Sequence, residues 1–444
     1  MRENWKLVLQ WSDAALAAVW CVRTRTLMSR LGEVPDLSDV RWDLCPVSAP
    51  GLVIVVPAKD EAETIGPAME TLLAQDYPWL RVVAVDDRSA DATGRLLDEL
   101  AASRPDRLGV VHLTEEAEGW IAKTFAMETA ARQSRSDWLL FTDADVWFSP
   151  SLLRRALSYA EISRADHLVV IPSPVIRRWH ENILIGFLTV FGVWVSRPWR
   201  VADPNSARDI AGAGAFNMIR RDAWEELGGF APQRLAVVED LTLGQRVRAA
   251  RLRQRVAFAP GLVLVHWATG LHGLVRGMTK NLFAATGFRL WMSALFCCGI
   301  VLLFLAPLLG LAWWGTLLPS LVIVACIGAQ YRILGEVTGI AARWALLYPI
   351  GGLALLWAML RSVIVTLWRG GVRWRDTFYP LRDLRPWNSP FRWEFEAARG
   401  RAQQRKVQRG LQPSRWLRTM TTMRERLAIK RRVRPSRRNT RKLG

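Results

Sequence analysis

The run Leu52-Val53-Ile54-Val55-Val56-Pro57-Ala58-Lys59-Asp60-Glu61-Ala62 decides how the rest of the chain is read. Its first five residues are apolar and mostly β-branched, which suits a strand buried on both faces of a parallel sheet. The polar stretch 61–74 then reads as a helix. The alternation continues with a strand over 80–85 ending in Asp86-Asp87, a helix over 91–102, a strand over 108–113 and a helix over 122–134. A fourth strand, from Trp138 to Thr142, ends in Asp143. Such alternation predicts an α/β fold with a mostly parallel sheet and helices on both faces. Ligands of such sheets sit beyond the carboxyl ends of strands. Both Asp86-Asp87 and the Asp143/Asp145 pair fall there.

Outside this region the composition changes. Of the 444 residues, 51% are hydrophobic and Trp outnumbers Tyr 23 to 5, which points to a membrane–water interface. Residues 5–22 are apolar except for Lys6, Gln10, Ser12 and Asp13, and Arg23, Arg25 and Arg30 follow. Residues 1–30 thus form a membrane-spanning or interfacial helix. If it spans, its arginines keep the next domain in the cytoplasm. Residues 183–195 are apolar but short, suiting a helix on the membrane or packed in the domain. Residues 290–314, 317–333 and 344–368 each approach spanning length, and no polar sequence remains to bury them in a soluble core.

The expected organisation is a catalytic domain over 47–285, a transmembrane region over 286–368 and a basic cytoplasmic tail over 369–444. The tail carries 23 Lys/Arg against 5 Asp/Glu, and so +18 of the net +20. This charge suits an anionic leaflet, or a solvated segment that only sets topology. With no recognition fold around it, no specific nucleic-acid partner is expected. A cytoplasmic domain and a cytoplasmic tail need an even number of crossings between them. A re-entrant segment containing Pro319 would supply that. The expectation is a multi-pass protein of the cell (inner) membrane. None of the five cysteines shows metal-ligand or C-x-x-C spacing, so neither a disulfide framework nor zinc is expected.

Three acidic groups can carry chemistry. Asp143-Ala144-Asp145 at a strand end can hold a hard divalent cation, Mg²⁺ or Mn²⁺, against a diphosphate, or can cap a helix before Ser149-Pro150. Asp86-Asp87 can accept hydrogen bonds from a base or ribose, with capping by Ser89 or Asp91 as the structural alternative. Glu239-Asp240 precedes a helix and can deprotonate a hydroxyl if the fold brings it near the others.

Taken in order, these groups resemble glycosyltransferase family 2, whose members have the GT-A fold. The matching residues are Val56 to Ala62, Asp86-Asp87-Arg88-Ser89, Asp143-Ala144-Asp145, Gly212-Ala213-Gly214 leading to Gly228-Gly229-Phe230, and Glu239-Asp240. The resemblance spans about residues 50–285. It implies that Pro57, Ala58 and Glu61 line the nucleotide pocket and that Asp86 and Asp87 meet a uracil-type base and ribose. It further implies that Asp143 orients sugar and metal, Asp145 ligates the metal, and Asp240, beside Glu239, is the catalytic base. Lys123, in Gly119-Trp120-Ile121-Ala122-Lys123, would meet donor phosphates or lie on a solvated face. Lys280-Asn281 would sit at the membrane entrance to the site, or snorkel. The implied reaction moves a sugar from a nucleotide-sugar, a UDP-sugar by analogy, onto a membrane lipid hydroxyl with inversion; the alternatives are a polyprenyl-phosphate glycosyltransferase, a polysaccharide synthase, or a catalytically dead membrane scaffold.

Within the family, the Trp- and Arg-rich end, with Gly371-Val372-Arg373-Trp374-Arg375, is similar to hopanoid-associated, carotenoid and ceramide-type enzymes. Some hopanoid-associated members have Asp-Asp where this chain has Glu239-Asp240. The Q-x-x-R-W of processive synthases is not matched: Gln245-Arg246-Val247-Arg248 lies too close to Asp240 and is followed by Ala249.

Overall fold

The computed structural model describes residues 4–206 and 208–388. Twelve strands occur among them: β1 (Leu52–Ala58), β2 (Leu80–Asp87), β3 (Leu108–Leu113), β4 (Trp138–Phe141), β5 (Val146–Phe148), β6 (His167–Ile171), β7 (Ser173–Pro174), β8 (Asn217–Arg220), β9 (Gln254–Phe258), β10 (Val263–Val265), β11 (Gly371–Trp374) and β12 (Thr377–Pro380). A seven-stranded sheet has the order β3-β2-β1-β4-β8-β6-β9. The β3-β2-β1-β4 half is parallel, and β8 pairs antiparallel to both β4 and β6. The short β5, β10 and β7 form a second sheet.

The helices of this domain are α1 (Asn4–Arg30), which leads into it, then α2 (Ile65–Leu73), α3 (Thr93–Ser103), α4 (Ala122–Gln133), α5 (Leu152–Ile162), α6 (Glu181–Val195), α7 (Arg221–Glu226), α8 (Glu239–Ala249), α9 (Gly270–Met278) and α10 (Leu282–Ala285). The apolar run in β1 is explained by its place. Ile54 and Val56 join a core with α2 and α5, while Val53 and Val55 join another with α4 and α8. A strand covered on both faces has no polar side to keep.

Three segments are long and apolar enough to cross a membrane: Leu290–Gly310, Trp314–Thr338 and Ala342–Arg369. The first comprises α11 (Leu290–Ile300), a π-helical stretch (Val301–Leu305) and α12 (Ala306–Gly310). The second is α13 (Trp314–Thr338), and the third contains α14 (Tyr348–Arg369). Helix α13 runs unbroken through Pro319, so the re-entrant segment expected there is absent. Pro319 lies near the helix start and forfeits only the bond its N–H would make to Gly315.

Helix α1 lies parallel to α13. Trp5 stacks on Trp313 at 6.2 Å, Ser320 donates to Asp13 at 2.8 Å, and Gln330 donates to Thr24 at 2.9 Å. The acid that interrupts the N-terminal apolar run is thereby satisfied. Segment α11–α12 leads away from the α/β domain, since Ser293 meets Thr286 near its start and Gly310 meets Ser320 and Asp13 at its end. Helix α13 then returns, and Ile340 just beyond it packs on Gly186.

Helix α14 behaves differently. Trp344 before it stacks on Trp179 at 6.0 Å, and Ser362 near its end bonds Thr279 and the Phe283 N–H. Both ends are thus tied to segments next to the α/β domain. Its outward stripe of Ile350, Leu353, Trp357, Leu360, Ile364 and Trp368 is exposed and apolar.

Residues 371–384, expected to begin the tail, are ordered instead. Strands β11 and β12 form an antiparallel hairpin followed by α15 (Leu381–Leu384). Val372, Tyr379 and Leu384 bury against Ile121, Leu235 and Phe283 of the α/β domain. Alternating apolar residues give the hairpin an inner face despite its arginines. The basic run from residue 389 onward lies outside the described residues.

Candidate functional site

At the carboxyl ends of β1, β2 and β4 lies a polar pocket of about 380 Å³. Pro57, Ala58 and Glu61 reach it from the β1 end, Asp87 from β2, and Asp143 and Asp145 from the β4–β5 connection. Lys123 comes from the first turn of α4, and Glu239 and Asp240 from the first turn of α8. A helix N-terminus favours carboxylates, which suits the last two.

Close approach depends on two glycines. A Cβ on Gly212 would lie 2.5 Å from the Asp240 carbonyl carbon and oxygen, and one on Gly214 would lie 2.6 Å from an Asp143 carboxylate oxygen. Any side chain there would push the acids apart.

The acids fall into two kinds. Lys123 Nζ sits 2.5 Å from Asp143 and 2.6 Å from Glu239. Burial works against its ammonium, but the two carboxylates outweigh that and its pKa stands raised. Asp145 and Asp240 make no ion pair among the described residues. Burial, then the charge of Asp143, pushes Asp145 up to about 6. Burial, then the charge of Glu239, also raises Asp240. Two carboxylates therefore share one ammonium, and two have no cation beside them, which leaves the pocket short of positive charge.

Asp86 does not line the pocket. Its carboxylate accepts from the Ser89 N–H at 3.1 Å and contacts His112 Nδ1 at 3.0 Å, so it braces the loop. The nucleotide-binding role expected for it would have to be met from behind the pocket lining. His112, which lies beyond the sequence around Asp86, supplies the reason. Asp87 does face the pocket, held by Arg88 at 2.9 Å.

The pocket also draws on residues that the sequence did not single out as site residues. Trp374, Arg375 and Thr377 of the β11–β12 hairpin line it. Arg375 pairs with Glu61, Lys59 lies 3.8 Å from Asp376, and Thr377 donates to Glu116 at 2.6 Å. Lys280 and Asn281 line the pocket itself rather than its entrance. Lys280 stands 3.5 Å from the Trp374 ring centroid with no carboxylate partner among the described residues, and burial, then Lys123, lowers its pKa to about 8. The buried Asn281 Oδ1 has no hydrogen-bond partner. The overlooked signal was the β-branched and aromatic alternation around Arg375-Asp376, a two-residue hairpin turn.

Among the described residues, no three His, Cys, Asp or Glu side chains gather as a closed metal site. Asp143 and Asp145 still offer two carboxylates. That donor set suits a hard cation drawing its other ligands from phosphate and water.

Residues 53–228 match the family model described as glycosyl transferase family 2. A 4,4'-diaponeurosporenoate glycosyltransferase of Staphylococcus aureus (strain bovine RF122 / ET3-1) is 24% identical over 242 residues, which cover 53% of this chain and 62% of that one. The protein of the same name from strain USA300 gives the same identity and coverage. The matched part thus spans less than two thirds of those relatives. Among solved structures, the Pyrobaculum calidifontis mannosyltransferase PcManGT, in complex with GDP-Man and Mn²⁺, superposes with a TM-score of 0.50 at 18% identity. The superposition covers 81% of this chain and 99% of that one, and it shows a shared fold. The strand-end acids and the sheet order thus lie in a segment, residues 53–228, that is similar to glycosyl transferase family 2, and the fold is the GT-A fold shared with the mannosyltransferase.

Proposed function

We propose that this protein transfers a sugar from a nucleotide-sugar, of the UDP type, to a hydroxyl of a membrane lipid. The observation that carries the reading is the sorting of the four pocket acids. Asp143 and Glu239 are held by Lys123, while Asp145 and Asp240 stay unpaired and proton-hungry in the same cavity.

Asp240 takes the proton of the acceptor hydroxyl as its oxygen attacks the anomeric carbon. The bond from that carbon to the donor diphosphate breaks, and the nucleoside diphosphate leaves with the electron pair. A divalent cation, Mg²⁺ or Mn²⁺, held by Asp145 with Asp143, would stabilise the departing negative charge. Lys123 and Lys280 add positive charge on that side, and Pro57, Ala58, Glu61 and Asp87 frame the nucleotide.

A lipid acceptor is supported by the apolar helices beside the pocket and by the name of the Staphylococcus aureus relatives. In our reading α1, α11–α12 and α13 cross the bilayer and α14 lies along its surface. This agrees with the ties at both ends of α14 and with Arg23, Arg25 and Arg30 on the domain side of α1. It gives the even number of crossings that a cytoplasmic catalytic domain and tail require. The basic run from residue 389, with 18 Lys/Arg against 3 Asp/Glu, would then face anionic lipid headgroups.

The test is mass spectrometry of lipid extracts from cells expressing the intact protein or Asp240→Asn at equal levels. Loss of a general base costs about 10²–10⁴ in rate, so a glycosylated lipid should appear with the intact protein alone. Matching profiles would sink the lipid-acceptor reading. A phosphate acceptor is already ionised and needs no base, so retained transfer to a polyprenyl phosphate by Asp240→Asn would favour that rival.

A further inference from the structure

A second cavity, of about 300 Å³, lies behind the first. Gly212 and Leu241 line it, while Gly214 and Asp240 line the polar pocket. The two linings therefore meet on the same two segments, 212–214 and 240–241, and Gly212 places no side chain between them. The far side is formed by α6 and α13, through Ile185, Leu188, Val193, Leu334 and Val337. Because α13 is long and apolar enough to cross a membrane, one wall of the cavity continues into the apolar layer.

The lining contains no charged residue. Its three hydroxyls are already engaged. Thr189 donates to the Ile185 carbonyl at 2.9 Å, Ser196 to the Ile210 carbonyl at 3.3 Å, and Thr338 to the Leu334 carbonyl at 2.9 Å. A polar guest would lose its water and find little in exchange, whereas a hydrocarbon loses nothing. At Gly192 on α6 a Cβ would meet no atom within 4 Å, so this side of the cavity is open. Trp267, half-exposed, stands at the same cavity.

Resting on the lipid-acceptor reading, we infer that this cavity berths the hydrocarbon chain of the acceptor. The chain enters from the bilayer between α6 and α13, and its head reaches Asp240 around the glycine wall. The occupant is the acceptor rather than a resident bilayer lipid because the cavity ends at the residue following the proposed base. The berth then doubles as a selector for a single apolar chain of limited length.

The test uses the full chain in nanodiscs, as wild type and as Asp240→Asn. Each is photolabelled with hexadecanol bearing a mid-chain diazirine and, separately, with phosphatidylcholine bearing the same group. The expected result is hexadecanol label on peptides covering residues 185–193 and 334–338 in both proteins, reduced about tenfold or more by Gly192→Phe, which fills the open space. A mutation-free arm competes the label with unlabelled alcohols from hexanol upward. Potency should rise about fourfold per methylene and then level off when the cavity is full. Phospholipid label in the same peptides that excess hexadecanol does not displace would overturn the inference, as would hexadecanol label spread over α14 and indifferent to Gly192→Phe. Labelling does not need transfer. The expected pattern with no glycolipid product would therefore uphold the berth and fault the reaction.

Discussion

The two cavities on either side of the Gly212–Asp240 contact are opposite in chemistry although they share a wall. The front pocket gathers Asp143, Asp145, Glu239, Asp240, Lys123 and Lys280, and two of its carboxylates lack a counter-ion. The rear cavity has no charge, and all its hydroxyls bond to backbone. One face accumulates polar groups whose partners must arrive with a ligand, and the other has shed every polar demand. The proposed transfer, from a charged donor to an apolar acceptor, would need both, with as little as possible between them. A glycine backbone is the thinnest partition available.

The sharpest way to break that comparison is to thicken the wall. Gly212→Ala places a methyl 2.5 Å from the Asp240 carbonyl, so the proposed base must move. Misplacement by about 1 Å costs about 10²-fold in rate. Transfer should fall by that order while donor binding, measured calorimetrically, changes little. Unchanged transfer would mean that the wall does not position the base.

Next in size is the cost of leaving Asp145 unpaired. Its folded pKa of about 6 lies above the usual 3.8. For an acid raised in this way the folded state binds the proton more tightly, so stability is fully present below about pH 4 and is lost as pH rises through 6. Asp145→Asn should therefore stabilise the metal-free protein by about 2 kcal/mol at pH 7 and by almost nothing at pH 4, while abolishing transfer. Thermal unfolding in detergent at the two pH values checks this. A destabilised variant at pH 7 would show that Asp145 has a partner in the folded state.

The smallest effect belongs to the hairpin's ion pair. Arg375 meets Glu61 at a partly exposed position, where such pairs contribute about 0.2–1 kcal/mol. Arg375→Ala should barely move the unfolding midpoint but raise the donor KM severalfold. A large stability loss with an unchanged KM would make Arg375 a structural clamp and remove it from the donor side of the comparison.

The front pocket was largely legible in the sequence, because a buried strand ending in acids marks both the strand and the ligand side of the sheet. Asp143 and Asp145 were read that way, whereas Asp240, just before a helix, and Lys123, in Gly119-Trp120-Ile121-Ala122-Lys123, entered through the family resemblance. Asp86 and its neighbour Asp87 look alike in the sequence, yet only Asp87 lines the pocket. What separates them is His112 on β3, a contact that strand spacing does not encode. The hairpin was hidden by composition, since its arginines merged with those of the tail. Helices α13 and α14 look alike by length and hydropathy, 1.7 against 1.9 for their segments. Only the contacts of Trp344 and Ser362 distinguish them. The rear cavity left no motif, because it is assembled mostly from ordinary apolar residues of seven separate stretches.

The place of the hairpin in the chain has a consequence for how the enzyme is born. Synthesis proceeds from the N-terminus, and domains fold as they emerge. The strand-end acids and Asp240 leave the ribosome well before Trp374 and Arg375, which complete the pocket. Between them come every apolar helix from α11 to α14. A nascent chain therefore carries its acids without their far wall until the bilayer segments have been delivered. If α11 to α13 cross the bilayer as proposed, completion of the pocket follows insertion, and a chain stalled before its hairpin lacks that wall.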